Sequence, residues 1–424
     1  MKQQKAANKA EQSPYPRPLE DVTVIDMTIA LAGPFATWLL AGLGARIIKI
    51  ENPASPDPCR NNAPYLGVSG AKLIQSSDDD ISISAINRLR NKKAVTLNLK
   101  HPGAREVFAD LVQRSDIVVE NFSAGVVDRL GVGYQFAQEV NPRIIYCSIS
   151  GFGNDAEAGF GKAMDTIIQA LSGTMQTSGG PDDPPIRIGL PFGDLCAPLF
   201  GVIGILAALN QARRTGLGQH IDVSMLGVLT SMVAGEAFDV LERCGIPVRT
   251  GQTLPRLAPF GIYKCSDGYV AICAPSELFA RGVFKAMGRE ELSNDELFRT
   301  RDRRVKNVHA LDTIIESWTR SLTMAELTAK LNEAGTPSAE VRDPKVAVRD
   351  PRVVARQETV PLMHPKYGEV DDVYGMGLPI RFSAATVGFD QPPPSVGEHN
   401  RVIYGDFLGY SSDRIEQLRA QKII

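Results

Sequence analysis

The chain has 424 residues, 43% of them hydrophobic and 22% charged, with a formal net charge of −2 at pH 7. That length exceeds one ordinary hydrophobic core and predicts two domains, while near-neutrality removes the electrostatic case for nucleic acid as a principal partner. Cysteines at 59, 147, 196, 244, 265 and 273 form no C-x-x-C pair, and no two histidines stand at metal-ligand spacing. The pattern speaks against a zinc site or a disulfide framework and for a reducing compartment.

Residues 1–18 are polar, contain no apolar run and read as a disordered tail rather than a secretory signal. From there a rhythm begins. VTVIDM, ARIIKIE (45–51), KAVTLNL (93–99), DIVVENF and RIIYCSISGFG read as strands, separated by helical stretches such as 34–43 and 103–114. Strand-like runs alternating with helix-like runs predict a doubly wound parallel sheet, a large α/β domain over residues 19–228. In such a sheet ligands bind beyond the carboxyl ends of the strands. The longest apolar stretch, Cys196 to Leu209, is too short to cross a bilayer and reads as a core helix.

After residue 235 the pattern changes. PFGIYKCSDGYVAICA (259–274) reads as two strands joined at Ser266-Asp267-Gly268, and helical spacing follows over 278–288, 309–320 and 323–334. The expectation is a smaller α+β domain over 229–340, followed by Pro-, Asp- and Gly-rich extended pieces and a final helix within 341–424.

Several motifs bear on chemistry. Gly42-Leu43-Gly44 lacks a third glycine and follows a helix instead of a strand, so it is a helix stop and not a nicotinamide fingerprint. In Ala32-Gly33-Pro34, Gly33 allows close approach to the backbone and Pro34 suits the first turn of a helix. The run Arg90-Asn91-Lys92-Lys93 reads first as a solvated face, although Asn98, Lys100 and Asn121 fall at strand ends where phosphates would find them. Phe192-Gly193-Asp194 precedes the apolar helix. Asp194 there is either its N-cap or a carboxylate beside a glycine that an acyl carbon can reach.

Taken in order, Ala32-Gly33-Pro34, LGARIIKIENP, RNKKAVTLNLK, VENFSAGVVDRLG, NPRIIYCSISGFG, FGD, TGLGQHIDVSML and PFGIYKCSDGYVAI resemble the class III CoA-transferases, a family related to the α-methylacyl-CoA racemases. The resemblance implies an interlocked homodimer of two-domain subunits, in which 341–424 returns to the large domain. It implies Asp194 as the nucleophile and CoA contacts at Ala32, Leu97, Asn98, Lys100, Asn121, Phe122, Arg129, Lys162 and Asp165. CoA and acyl-CoA would be substrates, no other cofactor would be needed, and a small carboxylic acid would be the second partner. No nucleic acid or membrane partner is expected, and the expected location is the cytoplasm. Leu31 stands where some transferases carry a glutamine, which speaks against a formyl or oxalyl substrate, and the 53–86 insert is expected to shape the acyl pocket.

A carboxylate suits this reaction because its attack on a thioester gives an anhydride of comparable reactivity. It must be ionised, so backbone N–H donors at the following helix terminus are expected around Asp194. A racemase of the same fold would need an acid–base pair, commonly His with Asp. The histidines at 101, 220, 309, 364 and 399 lie outside the region where its histidine would fall. A non-catalytic CoA-binding protein is the remaining alternative. Succinyl-CoA or a similar short-chain thioester is the expected donor.

Overall fold

The computed structural model describes residues 15–155, 162–254 and 256–424. Residues 1–14 of the expected tail lie outside the described residues; Arg17 is held by the Gly388 carbonyl and the Asp390 carboxylate, each at 3.0 Å.

The chain divides into two compact units. The larger comprises residues 1–168, 190–229 and 348–424. Its sheet contains β1 (Thr23–Asp26), β2 (Arg46–Glu51), β3 (Lys92–Thr96), β4 (Ile117–Glu120), β5 (Ile145–Ser150) and β6 (His220–Ser224). All neighbouring pairs run parallel, in the spatial order β3-β2-β1-β4-β5-β6. Helices α1 (Ala32–Gly42), α2 (Ile83–Leu89), α3 (Ala104–Gln113), α4 (Asp165–Leu171) and α5 (Phe192–Thr215) fill the connections. The order reverses between β1 and β4, which opens a crevice at their carboxyl ends, the position where such sheets bind ligands.

Side chains alternate across each strand, so the sheet buries two faces. On one face Val24, Ile47, Ile117, Val119, Ile145, Cys147 and Ile149 pack with Trp38 and Leu40 of α1 and with Ala197, Ile205 and Ala208 of α5. On the other, Ile25, Ile48, Val95 and Val118 pack with Val107, Phe108 and Leu111 of α3 and with Ile415 and Leu418 near the carboxyl end. Helices therefore cover both faces, as the alternating pattern predicts.

Two expectations require correction. The apolar helix α5 has 24 residues, long and apolar enough to cross a bilayer, so shortness is not what distinguishes it. Its Ala197, Gly201, Ile205, Ala208 and Ala212 are buried in the sheet-facing core, whereas Leu199, Phe200, Ile203 and Leu206 are exposed. The Arg90–Lys93 run is not a solvated face. Lys92 opens β3 with its side chain sealed from solvent, paired to Asp26 at 2.9 Å.

The smaller unit comprises residues 169–189 and 230–347. Strands β7 (Phe260–Lys264), β8 (Tyr269–Cys273) and β9 (Ser338–Glu340) form an antiparallel sheet. Helices α6 (Glu277–Ala286), α7 (Val308–Thr319) and α8 (Met324–Glu333) pack Val283, Leu311, Ile315, Leu327 and Leu331 against Tyr263, Val270 and Ile272. In the larger unit, the returning chain ends in α9 (Ser412–Ala420).

Candidate active site

Strand β1 ends in a carboxylate that anchors the crevice from below. Asp26 accepts the Thr28 N–H at 2.9 Å and the Thr37 hydroxyl at 2.7 Å, and pairs with Lys92. Lys49, on β2, lies 3.8 Å from Asp26 and 3.0 Å from Asp57, and it also donates to the Thr28 carbonyl. Burial alone would raise the Asp26 pKa, but the charges of Lys49 and Lys92 and the hydroxyls of Thr28 and Thr37 outweigh it and hold the carboxyl at about 2. Burial disfavours charge on Lys49 too, yet Asp26, Asp57 and Glu51 push its pKa upward. Isolated charges could not remain ionised here; the network permits it by supplying a partner to each.

The turn above this network is strained. Ala30 has φ of 65°, a left-handed conformation costly for a residue with a Cβ. Both of its backbone polar groups are held by side chains. Asp57 accepts its N–H at 2.9 Å, and Nη1 of Arg88 donates to its carbonyl at 2.8 Å. Next to it, the Asn121 carboxamide accepts from the Ile29 N–H at 2.8 Å and donates to the Ile29 carbonyl at 2.9 Å, bridging β4 to the turn. This bridge explains Gly33: a Cβ there would lie 2.4 Å from Thr28 Cβ and 2.9 Å from Asn121 Cγ. The glycine makes room for neighbouring side chains.

Asp194 sits in the first turn of α5, half-buried. It is not the N-cap, which is Pro191. The expected donors also go elsewhere. The N–H groups of Gly193 and Asp194 point to Oδ1 of Asp165, at 2.8 and 3.4 Å. Asp165, on α4, thus satisfies the free end of α5, and its negative charge is held beside Asp194. Burial, then the charge of Asp165, raise the Asp194 pKa to about 6, with Arg88 opposing them. The carboxylate is therefore more basic than an ordinary aspartate, which favours its use as a nucleophile.

The other predicted positions divide into groups. Ala32 opens α1 with its side chain buried, directly beyond the strained turn. Phe122 is partly buried, and its N–H donates to Glu120 at 2.7 Å. Arg129, Lys100 and Lys162 are exposed cations. Leu97 is buried in the α3-side core, and Asn98 donates its N–H to the Ile423 carbonyl at 2.7 Å. Asp194, Asp165 and the β1–α1 turn with its Asn121 bridge converge on the same end of the sheet. Sequence reasoning missed Asp57, in the insert, and Arg88, on the short helix α2 that begins in the insert and runs just past it, where no motif marks them.

A second polar cluster occupies β4–β6. The Ser148 hydroxyl lies 3.0 Å from Nε2 of His220, which also approaches the Asn154 carboxamide at 3.2 Å and stacks on Tyr134. Burial raises the Glu120 pKa to about 7, against hydrogen bonds from Ser148 and the Phe122 N–H.

The chain is 34% identical over 416 residues to the succinyl-CoA–D-citramalate CoA-transferase of Chloroflexus aurantiacus, covering 96% of this chain and 98% of that one. It is 36% identical over 327 residues to the acetyl-CoA:oxalate CoA-transferase of Acetobacter aceti, covering 77% and 81%. A crystal structure of a CAIB/BAIF family protein from Brucella suis superposes with a TM-score of 0.78 at 31% identity, over 92% of this chain and 99% of that chain. The model of CoA-transferase family III matches residues 19–400. A carboxylate of raised basicity at the mouth of a parallel-sheet crevice thus lies in a chain that belongs to CoA-transferase family III and is a CoA-transferase.

Proposed function

We propose that the protein transfers CoA from succinyl-CoA, or a similar short-chain thioester, to a small carboxylic acid through covalent intermediates on Asp194. The observation that carries this reading is the environment of Asp194: half-buried, beside Asp165, with its pKa raised to about 6. The succinyl donor is taken from the name of the Chloroflexus relative.

The Asp194 carboxylate attacks the thioester carbonyl, forming an acyl–aspartyl anhydride and releasing CoA thiolate. The thiolate attacks the aspartyl carbonyl, giving an aspartyl-CoA thioester and the free donor acid. The acceptor carboxylate attacks that thioester, again forming an anhydride and thiolate. Attack of the thiolate on the acceptor's carbonyl yields the new acyl-CoA and returns Asp194 as carboxylate. Each step exchanges one acyl bond for another of similar reactivity, so no large barrier is concentrated in one step. CoA enters as substrate, held at the crevice by the β1–α1 turn, Asn121 and Phe122, with the exposed Lys100, Arg129 and Lys162 as candidates for its phosphates.

The exposed stripe Leu199, Phe200, Ile203 and Leu206 on α5 supports self-association as a homodimer, because so much apolar surface on one helix favours burial against a partner. All six cysteines are free thiols, which suits the reducing cytoplasm.

Trapping tests the covalent step. Incubation with succinyl-CoA followed by hydroxylamine should convert Asp194 to its hydroxamate, detected by peptide mass. The Asp194→Ala variant should lose exchange while still binding CoA. Turnover by that variant would refute the assignment.

A further inference from the structure

Arg88 is the cation that acts on Asp194, and its surroundings give it a further use. The residue lies near the end of α2, half-buried. One guanidinium nitrogen is committed to the Ala30 carbonyl at 2.8 Å, which fixes the side chain over the strained turn. No carboxylate among the described residues forms an ion pair with it. Asp57, also near, is already paired with Lys49 at 3.0 Å. Asp194 feels the Arg88 charge but stands farther away than an ion pair. A cation held at the strained turn by a neutral carbonyl, without an ion-pair partner and within electrostatic reach of Asp194, is available to an anionic group of a ligand bound at that carboxylate.

We propose that Arg88 binds the distal carboxylate of a dicarboxylic acyl group, so that the site selects four-carbon diacid thioesters over their monocarboxylic counterparts. The inference rests on Asp194 being the acylated residue. With the thioester carbonyl against Asp194, a carboxylate at the far end of the acyl chain would pair with the guanidinium edge that the Ala30 carbonyl leaves free. A planar fork of donors suits a carboxylate. A butyryl group, which carries a methyl where succinyl carries the second carboxylate, would leave the guanidinium unpaired. The inserted segment serves the same end: Asp57 holds the Ala30 N–H while Arg88 holds its carbonyl, so the turn and the cation are positioned together.

Isotope exchange tests this without knowledge of the physiological acceptor. Incorporation of labelled succinate into succinyl-CoA and of labelled butyrate into butyryl-CoA is measured for the wild type, Arg88→Leu and Arg88→Lys. The wild type should prefer the succinyl pair. Arg88→Leu should lower kcat/KM for succinyl exchange at least tenfold more than for butyryl exchange, and Arg88→Lys should recover part of the difference. Thermal unfolding and hydroxylamine trapping on both variants report whether fold and nucleophile survive. An equal fall in both exchanges, no fall in either, or a wild-type preference for butyryl overturns the role of Arg88 while leaving the covalent reading intact. Failure of the wild type to acylate Asp194 with either thioester overturns the covalent reading itself.

Discussion

Asp57 accepts the N–H of Ala30 at 2.9 Å while its other oxygen pairs with Lys49 at 3.0 Å, and both charged side chains of that pair are sealed from solvent. One residue of the insert thus neutralises a buried cation of the sheet and holds the strained turn of the candidate site. Stability and geometry depend on the same carboxylate.

Asp57→Ala should therefore be strongly destabilising. It leaves Lys49 with Asp26 as its one remaining ion-pair partner among the described residues, at 3.8 Å and shared with Lys92, and with the more distant charge of Glu51. Removing one partner of a buried pair costs about 3–5 kcal/mol, measurable as a lowered denaturation midpoint in urea. A loss below about 1 kcal/mol would show that water or rearrangement relieves the charge.

The proposed role of Asp194 predicts an acid limb of activity. Burial and then Asp165 place the Asp194 pKa at about 6, so its carboxylate form predominates at pH 7 and disappears as pH falls through 6. The rate of hydroxamate formation should drop tenfold per pH unit well below that point. Linkage has the opposite sign. An acid whose folded-state pKa is raised contributes stability that is present below its ordinary value of 3.8 and lost as pH rises through about 6. Asp194→Asn should gain on the wild type between pH 5 and 7.5, by on the order of 1 kcal/mol after allowance for partial solvent screening. Stability curves that stay parallel across that range would contradict the assigned environment.

Glu120 makes a separate pH prediction. It is 1% exposed at the end of β4, and burial brings its pKa to about 7 from an ordinary 4.5. Its stabilising contribution is complete below 4.5 and is lost as pH rises through 7. Glu120→Gln cannot ionise, so relative to the wild type it should gain on the order of 1–3 kcal/mol between pH 5 and pH 8. Chemical denaturation at both pH values checks this; a constant offset between the two proteins would refute it.

Much of the fold is legible in the linear chain because its periodicity is local. The runs around Val24, Ile47, Val95, Val118 and Ile145 are apolar on both sides, as strands covered on two faces must be, and α3 carries one-sided apolar spacing at Val107, Phe108, Leu111 and Val112. The place of Asp194 is legible too, through the order of the motifs around it. Its electrostatics are not. Helix-terminal N–H groups are expected at Asp194, and they go to Asp165, 29 residues earlier in the chain. Lys92 belongs to a charged run of the solvated kind, but as the first residue of β3 its side chain is turned toward Asp26, 66 residues away.

The sequence by itself determined the alternation of strands and helices in the large sheet and the family to which the chain belongs. Only the tertiary structure decided which charges neutralise one another, that Ala30 is held in a left-handed turn by Asp57 and Arg88, and that Arg88 lies within electrostatic reach of Asp194 without an ion-pair partner of its own. Periodicity and motifs are relations between residues near one another along the chain. Coulomb forces and desolvation depend on separation and burial in space, which exist only after the sheet brings distant segments together.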